Sequence, residues 1–186
     1  MIVSTVPSYK WTRQKYDKMT ANGMFHPKTH HELINGDIID ILPQSSLHSS
    51  IIIIVKKILE SIISKDCYIR VQMPLALGQD SEPEPDIAIV KYNFDNCSVP
   101  CPEKTLLVIE ISESSSILLD RKIKKKLYAC SNIPEYWIIN LKISCIEVYR
   151  NPLQDSYTDM KILHNSDNIT PLFNPEISIS IADILP

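Results

Sequence analysis

Two acidic residues stand at or within apolar runs that are predicted to be strands. Asp86 follows Pro85 at the start of the alternating run DIAIV, and Glu110 lies inside LLVIEIS among apolar neighbours. An unpaired carboxylate buried there would be costly or would stay protonated. A structural ion pair, or a strand end that reaches water, would explain Glu110 without any function, because structural networks also perturb acids.

The charged helix predicted after Glu110, from about Ser116 to Ser131, favours a functional interpretation. At about 100° per residue, the face that contains Asp120 also carries apolar residues. These are Ile123, Leu127 and Tyr128. Lys124 falls on this inward face, and the other three lysines point away from it. Those three are Lys122, Lys125 and Lys126.

An inward lysine beside two inward acids indicates a specific chemistry. Two carboxylates that converge repel each other, and a divalent cation between them relieves the repulsion. Carboxylate and water ligands favour Mg²⁺ or Mn²⁺ over zinc. A lysine beside such an ion can orient or deprotonate a water, or stabilise charge that develops on a phosphate. Asp86, Glu110 and Lys124 therefore predict phosphodiester hydrolysis.

The elements that position these residues are predicted to be a mixed sheet and two main helices. A short helix covers 12–22, a hairpin covers 31–42 around Asn35-Gly36, and an amphipathic helix runs from about Ser49 to Ser64. Strands are predicted at 68–77, 86–90, 105–112, 135–141, 145–150 and 157–163, the last of them an edge strand, with a short helical turn at 181–185. The fold class is α/β (α+β), a mixed β-sheet flanked by helices, in a single domain over 1–186.

Composition restricts the possible functions. Hydrophobic residues make up 44% and charged residues 22%, which is typical of a soluble globular protein. The net charge of −3 argues against a protein that mainly coats nucleic acid, although a local basic patch stays compatible with it. Since no apolar run reaches the roughly 18 residues of a membrane span, we expect no membrane segment. Glycine-rich nucleotide motifs are absent, so no organic cofactor is expected.

Cysteines and histidines offer weaker signals. The five cysteines are scattered, and no secretory signal is apparent, which predicts free thiols in a reducing cytoplasm. The CSVPC pair has no second pair at the spacing of a zinc site. His26 and His30 are not expected to form a zinc site either, since Pro27 opposes a helix through both histidines. His48 is predicted to be a surface residue near a helix start. Trp11 and Trp137 are interpreted as core or interface aromatics, and SESSS as a polar loop with Ser116 as a helix N-cap.

Several segments together resemble a known family. EPDIAIV, LLVIEIS with 24 residues from acid to acid, DRKIKKKLY and IPEYWIIN resemble the Uma-type putative restriction endonuclease family of the PD-(D/E)XK nuclease superfamily. WTRQKYDKM, HELINGDIIDILP, LHSSI, RVQMPLAL and the terminal IADIL also match its pattern, so that the resemblance covers nearly the whole chain. It implies a restriction-endonuclease-like core with a mixed sheet.

The resemblance also implies roles for single residues. Asp86 and Glu110 would bind the metal, with the backbone carbonyl of Ile111 as a third ligand. The superfamily's usual lysine, two residues after the second acid, is absent because that position is Ser112. Lys124 matches the position to which the lysine has moved in this family, and the helical-face argument selects the same residue.

Two further residues match less specific positions of the family. Glu32, in HELINGD, matches an acidic position before the hairpin and would complete the metal coordination or bind a second ion. Gln72, in RVQMP, would be an auxiliary contact of the same site.

Two functional hypotheses follow. The first is a Mg²⁺-dependent endonuclease that cuts DNA to leave a 5′-phosphate and acts in the cytoplasm as a homodimer, since cutting a duplex with one site per chain is easiest for two copies. The second is a catalytically weak or inactive nuclease-fold module that binds nucleic acid or protein. The acidic net charge and the missing lysine at position 112 favour the second hypothesis, whereas the acids and inward Lys124 favour the first.

Overall fold

A six-stranded mixed sheet forms the centre of the structure, a computed structural model that describes residues 8–26, 29–91 and 104–185. The strands are β1 (His30–Ile34), β2 (Asp37–Ile41), β3 (Cys67–Val71), β4 (Ile87–Lys91), β5 (Thr105–Ser112), β6 (Glu135–Asn140), β7 (Cys145–Leu153), β8 (Ser156–Leu163), β9 (Asn168–Ile169) and β10 (Ile179–Ser180). The helices are α1 (Arg13–Ala21), α2 (Ser46–Ile62), α3 (Ile117–Leu119) and α4 (Lys125–Cys130), with a π-helical turn at Asp120–Lys124 and a 3₁₀ turn at Ile181–Asp183.

The large sheet has the order β3-β4-β5-β6-β7-β8. β5 and β6 are parallel, because the helical segment between them carries the chain back across the sheet, and the other neighbours are antiparallel. This confirms the predicted mixed sheet with helices against it. The smaller pairs β1–β2 and β9–β10 lie outside this sheet.

Each face of the large sheet has its own buried core. On one face, α2 packs the apolar stripe of Ile51, Val55 and Leu59 against strand residues such as Ile109 and Trp137. On the other face, α4 contributes apolar and aromatic residues to a second cluster. That cluster includes Leu127, Tyr128, Tyr136, Ile138 and Tyr149. The active-site candidates lie at the edge of this second cluster, so the helical segment that carries Lys124 faces β5.

The hairpin β1–β2 confirms the prediction from Asn35-Gly36. Both residues have positive φ, 51° and 77°, as a two-residue hairpin turn requires. Backbone hydrogen bonds dock the hairpin on the loop before β4: Glu82 N–H donates to the Leu33 carbonyl at 2.6 Å, and Gly36 N–H donates to the Asp80 carbonyl at 2.7 Å. This docking holds β1 beside the start of β4.

A predicted strand and a predicted helix are among the elements whose extent differs from the structure. The strand predicted at 68–77 ends at Val71, because Gln72 has a φ of 47° and Pro74 cannot donate to a sheet. The helix predicted from about Ser49 begins at Ser46. Its N-cap is Ser45, whose hydroxyl accepts a hydrogen bond from His48 N–H at 3.1 Å.

The helix predicted at 116–131 contains a π turn that the periodicity did not indicate. A π turn has an extra residue per turn, so the residues within it advance by less than the α-helical angle. Ile123, predicted to face inward, is therefore 40% exposed, whereas Asp120, Lys124 and Tyr128 are buried along one line. In α2, Ile52 is buried, whereas Ile54 is exposed.

Other predictions have mixed outcomes. Trp137 is fully buried in the core, as expected, and the cysteines within the described ranges are free thiols, namely Cys67, Cys130 and Cys145. The pair Cys97 and Cys101 lies outside the described residues. No helix of the described ranges is long and apolar enough to cross a membrane.

Candidate active site

The pairing of β4 with β5 brings the two acids to opposite positions. Ile87 pairs with Ile109, so the next residues in the antiparallel register, Asp86 and Glu110, face each other across the two strands. Both are buried, with 5% and 4% of their surfaces exposed. The prediction from sequence that these acids converge at one end of the sheet therefore agrees with the geometry.

The two carboxylate oxygens of Asp86 have different surroundings. Oδ2 accepts a hydrogen bond from Ile111 N–H at 2.8 Å and another from His48 Nε2 at 3.0 Å. Oδ1 has only long contacts, at 3.3 Å to Gln44 Nε2 and 3.5 Å to Gln72 Nε2. The first oxygen is held in place by the fold, which leaves Oδ1 as the better oxygen for a ligand.

Glu110 is held from the opposite side by the π turn and α4. Its Oε1 accepts hydrogen bonds from Lys124 Nζ at 3.0 Å and from the Tyr128 hydroxyl at 2.6 Å. Burial raises the pKa of Glu110 well above its usual range; Lys124 opposes this, and Asp120, Asp86 and Glu32 add to it through their negative charge. Without a further cation, this carboxyl is under strong pressure to bind a proton.

Lys124 is buried between two glutamates. Its Nζ lies 3.0 Å from Glu110 Oε1 and 3.0 Å from Glu32 Oε2, and only 4% of the residue is exposed. Burial lowers its pKa, but the charges of Glu110, Glu32 and Asp120 outweigh burial, so the pKa is raised and the ammonium stays charged. The predicted inward orientation of this lysine agrees with the structure.

Glu32, on β1, completes this polar group. Its Oε1 accepts from Lys124 Nζ at 3.1 Å and from Glu84 N–H at 3.2 Å. Its Oε2 is buried beside the ammonium but accepts no well-directed hydrogen bond from the residues described here. Burial and the charge of Glu32 raise the pKa of the neighbouring Glu84. The Oε2 atom of Glu32 is thus held by the charge of Lys124 alone.

Gln72 lies at the same site, as an auxiliary residue. Its positive φ turns the chain at the end of β3, and its amide nitrogen donates to Gln44 Oε1 at 2.7 Å. The two amides therefore form a pair beside Asp86 Oδ1. Gln44 was not identified from the sequence, because it lies in an irregular segment without periodicity.

His48 was predicted to be a surface residue, and this was wrong. It is buried, with Nε2 on Asp86 and Nδ1 without a hydrogen-bond partner among the described residues. Burial lowers its pKa, but the hydrogen bond and charge of Asp86 outweigh burial, so the net pKa is raised. Its spacing of three and seven residues before Ile51 and Val55 places it on the apolar face of α2, a signal that the sequence contained.

Ser112 and Asp120 form a second contact that sequence reasoning missed. The Ser112 hydroxyl donates to Asp120 Oδ2 at 2.6 Å, and both residues are buried. Burial raises the pKa of Asp120, against the opposing effects of Lys124 and Ser112. Ser112 occupies the position at which the resemblance would place a lysine, and its hydrogen bond ties the end of β5 to the π turn that carries Lys124.

Apart from Ser112 and Tyr128, these residues line one cavity of about 600 Å³. Its walls carry more acidic than basic side chains, and three histidines are among the lining residues. The acids are Glu32, Asp40, Glu84, Asp86, Glu110, Glu113 and Asp120, and the bases are Lys124, His30, His31 and His48. A cavity with this excess of carboxylates attracts cations and repels a free phosphodiester.

The donor set is compatible with a hard divalent cation. Across 8–26, 29–91 and 104–185, no three His, Cys, Asp or Glu side chains are grouped as a ready-made metal cage. Mg²⁺ commonly uses only one or two carboxylates and keeps several waters. Asp86 Oδ1, with its long contacts, and Glu110, with its raised pKa, fit that requirement, and Ile111 lines the same cavity.

Comparisons with known proteins agree with this description. The model of the Uma2 family, described as a putative restriction endonuclease, matches residues 13–182. The chain belongs to the Uma2 family. This confirms the resemblance seen in the sequence. The description of the family names its members as nucleases.

A solved structure shares the fold of this Uma2 chain. It is described as a putative nuclease belonging to DUF820 from Anabaena variabilis ATCC 29413. The TM-score is 0.70 at 19% sequence identity, and the match covers 93% of this chain and 96% of that chain. At this low sequence identity, the structural similarity shows that this chain has the same fold as that protein. A search of curated proteins finds no significant match.

Proposed function

We propose that this Uma2 protein is a metal-dependent endonuclease that hydrolyses phosphodiester bonds of DNA and leaves a 5′-phosphate. One observation carries the proposal: Asp86 and Glu110 face the same cavity from opposite strands, and a buried lysine contacts Glu110. In a purely structural ion pair, the negative and positive charges would balance each other. Here the acids exceed the bases, which supports a bound cation.

Asp86, Glu110 and the backbone carbonyl of Ile111 are the residues that would hold Mg²⁺ or Mn²⁺. When bound, such an ion polarises the phosphodiester and lowers the pKa of a coordinated water. The protein contributes the orientation of the acids. His48 and Ile111 N–H hold Asp86 Oδ2, while Tyr128 and Lys124 hold Glu110 Oε1.

Lys124 is proposed to act on the reacting groups. Its ammonium is charged and desolvated, so it can orient the attacking water or stabilise charge that develops on the phosphate. Glu32 holds the other side of the ammonium, and its Oε2 would complete the metal coordination or hold a second ion by exchanging its contact with that ammonium. Gln72 is proposed to contact the same site through its amide.

DNA is the proposed substrate, and a homodimer is the proposed acting form, because two copies related by a two-fold axis can address both strands. Because α2 and α4 pack on opposite faces of the sheet, lysines of α2 and of the π turn and α4 would line one DNA-facing groove only when two copies contribute them. These are Lys56, Lys57, Lys122, Lys125 and Lys126, of which Lys56 and Lys125 are only partly exposed. The free thiols within the described ranges support the expected cytoplasmic location.

A catalytically weak module that binds nucleic acid or protein is the second candidate. Its support is that Lys124 is fully engaged by two glutamates and that position 112 holds serine. An ammonium held this closely must exchange a glutamate contact for contact with the substrate. This candidate predicts metal and DNA binding without turnover.

The decisive experiment combines metal titration with cleavage. Calorimetric titration with Mg²⁺ or Mn²⁺ is expected to show binding to the wild type that Asp86→Asn and Glu110→Gln each abolish. Supercoiled plasmid and linear duplex are expected to be cut with Mg²⁺ and to stay intact with EDTA. Wild-type-like metal binding in both variants would refute the site, and metal-bound protein that binds DNA without cutting it would favour the second candidate.

A further inference from the structure

β8 forms one end of the six-stranded sheet. It pairs with β7 on one side, and on its other side no strand pairs with it among the residues that the structure describes. At 8 residues it is longer than β3 at the opposite end, which has 5. A long open edge presents backbone N–H and C=O groups that pair readily with another strand.

The side chains of β8 do not protect this edge in the usual way. Met160 and Ile162 share one face by alternation and are 49% and 50% exposed. Natural edges are often blocked by a lysine, and Lys161 is a candidate for that role. Asp159, however, lies two residues before Lys161 on the same face, so the edge carries one charge of each sign.

This pair of charges is complementary to itself in one antiparallel register. When two copies pair about a two-fold axis perpendicular to the sheet, a single residue lies opposite its own counterpart. With Met160 on the axis, Asp159 of each copy faces Lys161 of the other, and Thr158 faces Ile162. Centring on Asp159 or on Lys161 would instead oppose like charges.

Both charges are available for such contacts. Asp159 is exposed and accepts a hydrogen bond from Asn151 of β7 through one carboxylate oxygen. Lys161 is exposed and has no ion-pair partner within the described part of the chain. On the other face, the Met160 side chains would meet at the axis beside Ile162, which would remove exposed apolar surface from water.

We propose that β8 pairs antiparallel with β8 of a second copy of this chain, in the register centred on Met160. The two six-stranded sheets then form one continuous sheet across the dimer. This inference deepens the proposed homodimer by naming its surface, and it rests on that proposal for its biological use. Its test measures mass, so that its failure and a failure of nuclease activity are separate results.

Charge reversal tests the register. Wild-type protein at micromolar concentration is expected to have twice the 21.2 kDa mass of one chain by light scattering. Asp159→Lys and Lys161→Asp each oppose like charges twice in the dimer, and each is expected to raise the dimer dissociation constant at least about tenfold. Lys56→Asp on α2 makes the same charge change as Lys161→Asp away from the edge, and its mass is expected to match the wild type.

Rescue separates the register from general damage. An equimolar mixture of Asp159→Lys and Lys161→Asp restores opposite charges in a heterodimer and is expected to regain the dimer mass, as is the double reversal. A wild-type monomer at 100 µM or so would overturn the proposal. So would singles that dimerise like the wild type, or singles that stay monomeric when mixed. Circular dichroism melting of each variant establishes that it is folded.

Discussion

Two buried glutamates of the same sheet, Glu110 on β5 and Glu147 on β7, show what distinguishes a candidate active-site acid from a structural acid. Glu147 is 1% exposed, yet both oxygens of its carboxylate accept hydrogen bonds. It accepts from Arg121 Nε at 3.0 Å, from the Tyr149 hydroxyl at 2.7 Å and from Asn140 Nδ2 at 3.4 Å. Burial raises the pKa of Glu147, but these partners outweigh burial and the net pKa is lowered.

Glu110 is buried to a similar degree with the opposite outcome. Its one cation, Lys124, is shared with Glu32, and the remaining neighbours are other acids and a tyrosine. Its pKa is therefore raised. A structural acid is satisfied by partners of its own, whereas Glu110 belongs to a group with excess negative charge beside a cavity. This excess, rather than burial, is what supports the proposed cation.

The largest expected effect separates the two acids directly. Glu110→Gln is expected to lower DNA cleavage about 1,000-fold and to abolish Mg²⁺ binding, because it removes a charged ligand. Glu147→Gln is expected to keep both and to lose about 1–3 kcal/mol of unfolding free energy, because Arg121 loses its charged partner. Plasmid cleavage, calorimetry and urea unfolding measure these effects. Equal loss of cleavage in both variants would contradict the comparison.

Lys124→Ala is expected to lower cleavage about 100-fold. Lys126→Ala is the matched control, since Lys126 is exposed and pairs with the exposed Asp155 at 2.8 Å. Single-turnover cleavage at saturating Mg²⁺ measures the difference. If the two variants lose cleavage equally, the lysines act as a general phosphate-attracting surface.

His48→Ala is expected to weaken Mg²⁺ affinity about 10-fold, because Asp86 loses the partner that orients its Oδ2. Calorimetric titration without DNA measures this directly. His31→Ala is a suitable control, since His31 pairs with Asp40 in the lining of the same cavity. Unchanged affinity in His48→Ala would show that Ile111 N–H alone is sufficient to hold Asp86.

Ser112→Ala is expected to lower cleavage several-fold and to cost about 1 kcal/mol of unfolding free energy, because buried Asp120 loses a hydrogen-bond donor. Ser112→Thr keeps the hydroxyl and is expected to restore most of the activity. A change in kcat with little change in KM would fit misplacement of Lys124. Loss of activity in the threonine variant as well would indicate that space, and not the hydrogen bond, matters at this position.

The pH dependence of stability is the smallest and subtlest contrast. In metal-free protein, native Glu110 holds a proton above about pH 4.3, where the unfolded chain has released it, so its contribution to stability falls as pH rises. The stability from ionised Glu147 is present above about pH 4.3 and is lost as pH falls through its lowered pKa. The unfolding free energy is measured by urea unfolding from pH 3 to 8. Its dependence on pH is expected to become weaker at high pH in Glu110→Gln and weaker at low pH in Glu147→Gln.

Local patterns in the sequence were sufficient for several of these features. Asn35-Gly36 predicted the β1–β2 hairpin, because its positive φ angles are a property of the residues themselves. Glu110 was identified because a charged residue in an apolar strand is conspicuous, and the face that contains Asp120 indicated Lys124. These signals depend on residues within a few positions of each other.

The same local reasoning failed where neighbouring segments altered the geometry. The π turn changed the helical angle that the prediction assumed, which exposed Ile123 although Lys124 stayed buried. Gln72 and Pro74 ended a strand that alternation alone extended to 77. In both cases the backbone departs from the ideal period, and a hydrophobic pattern contains little information about such departures.

The sequence by itself determined the family, the mixed sheet, and which acids and which lysine are conspicuous. Tertiary structure alone decided that His48 orients Asp86 from 38 positions away and that Ser112 anchors the turn that carries Lys124. It also decided that Glu147, equally buried, is satisfied while Glu110 is not. The physical reason is that residue type and spacing set which face a side chain occupies, whereas its charge balance depends on side chains that packing brings from distant elements.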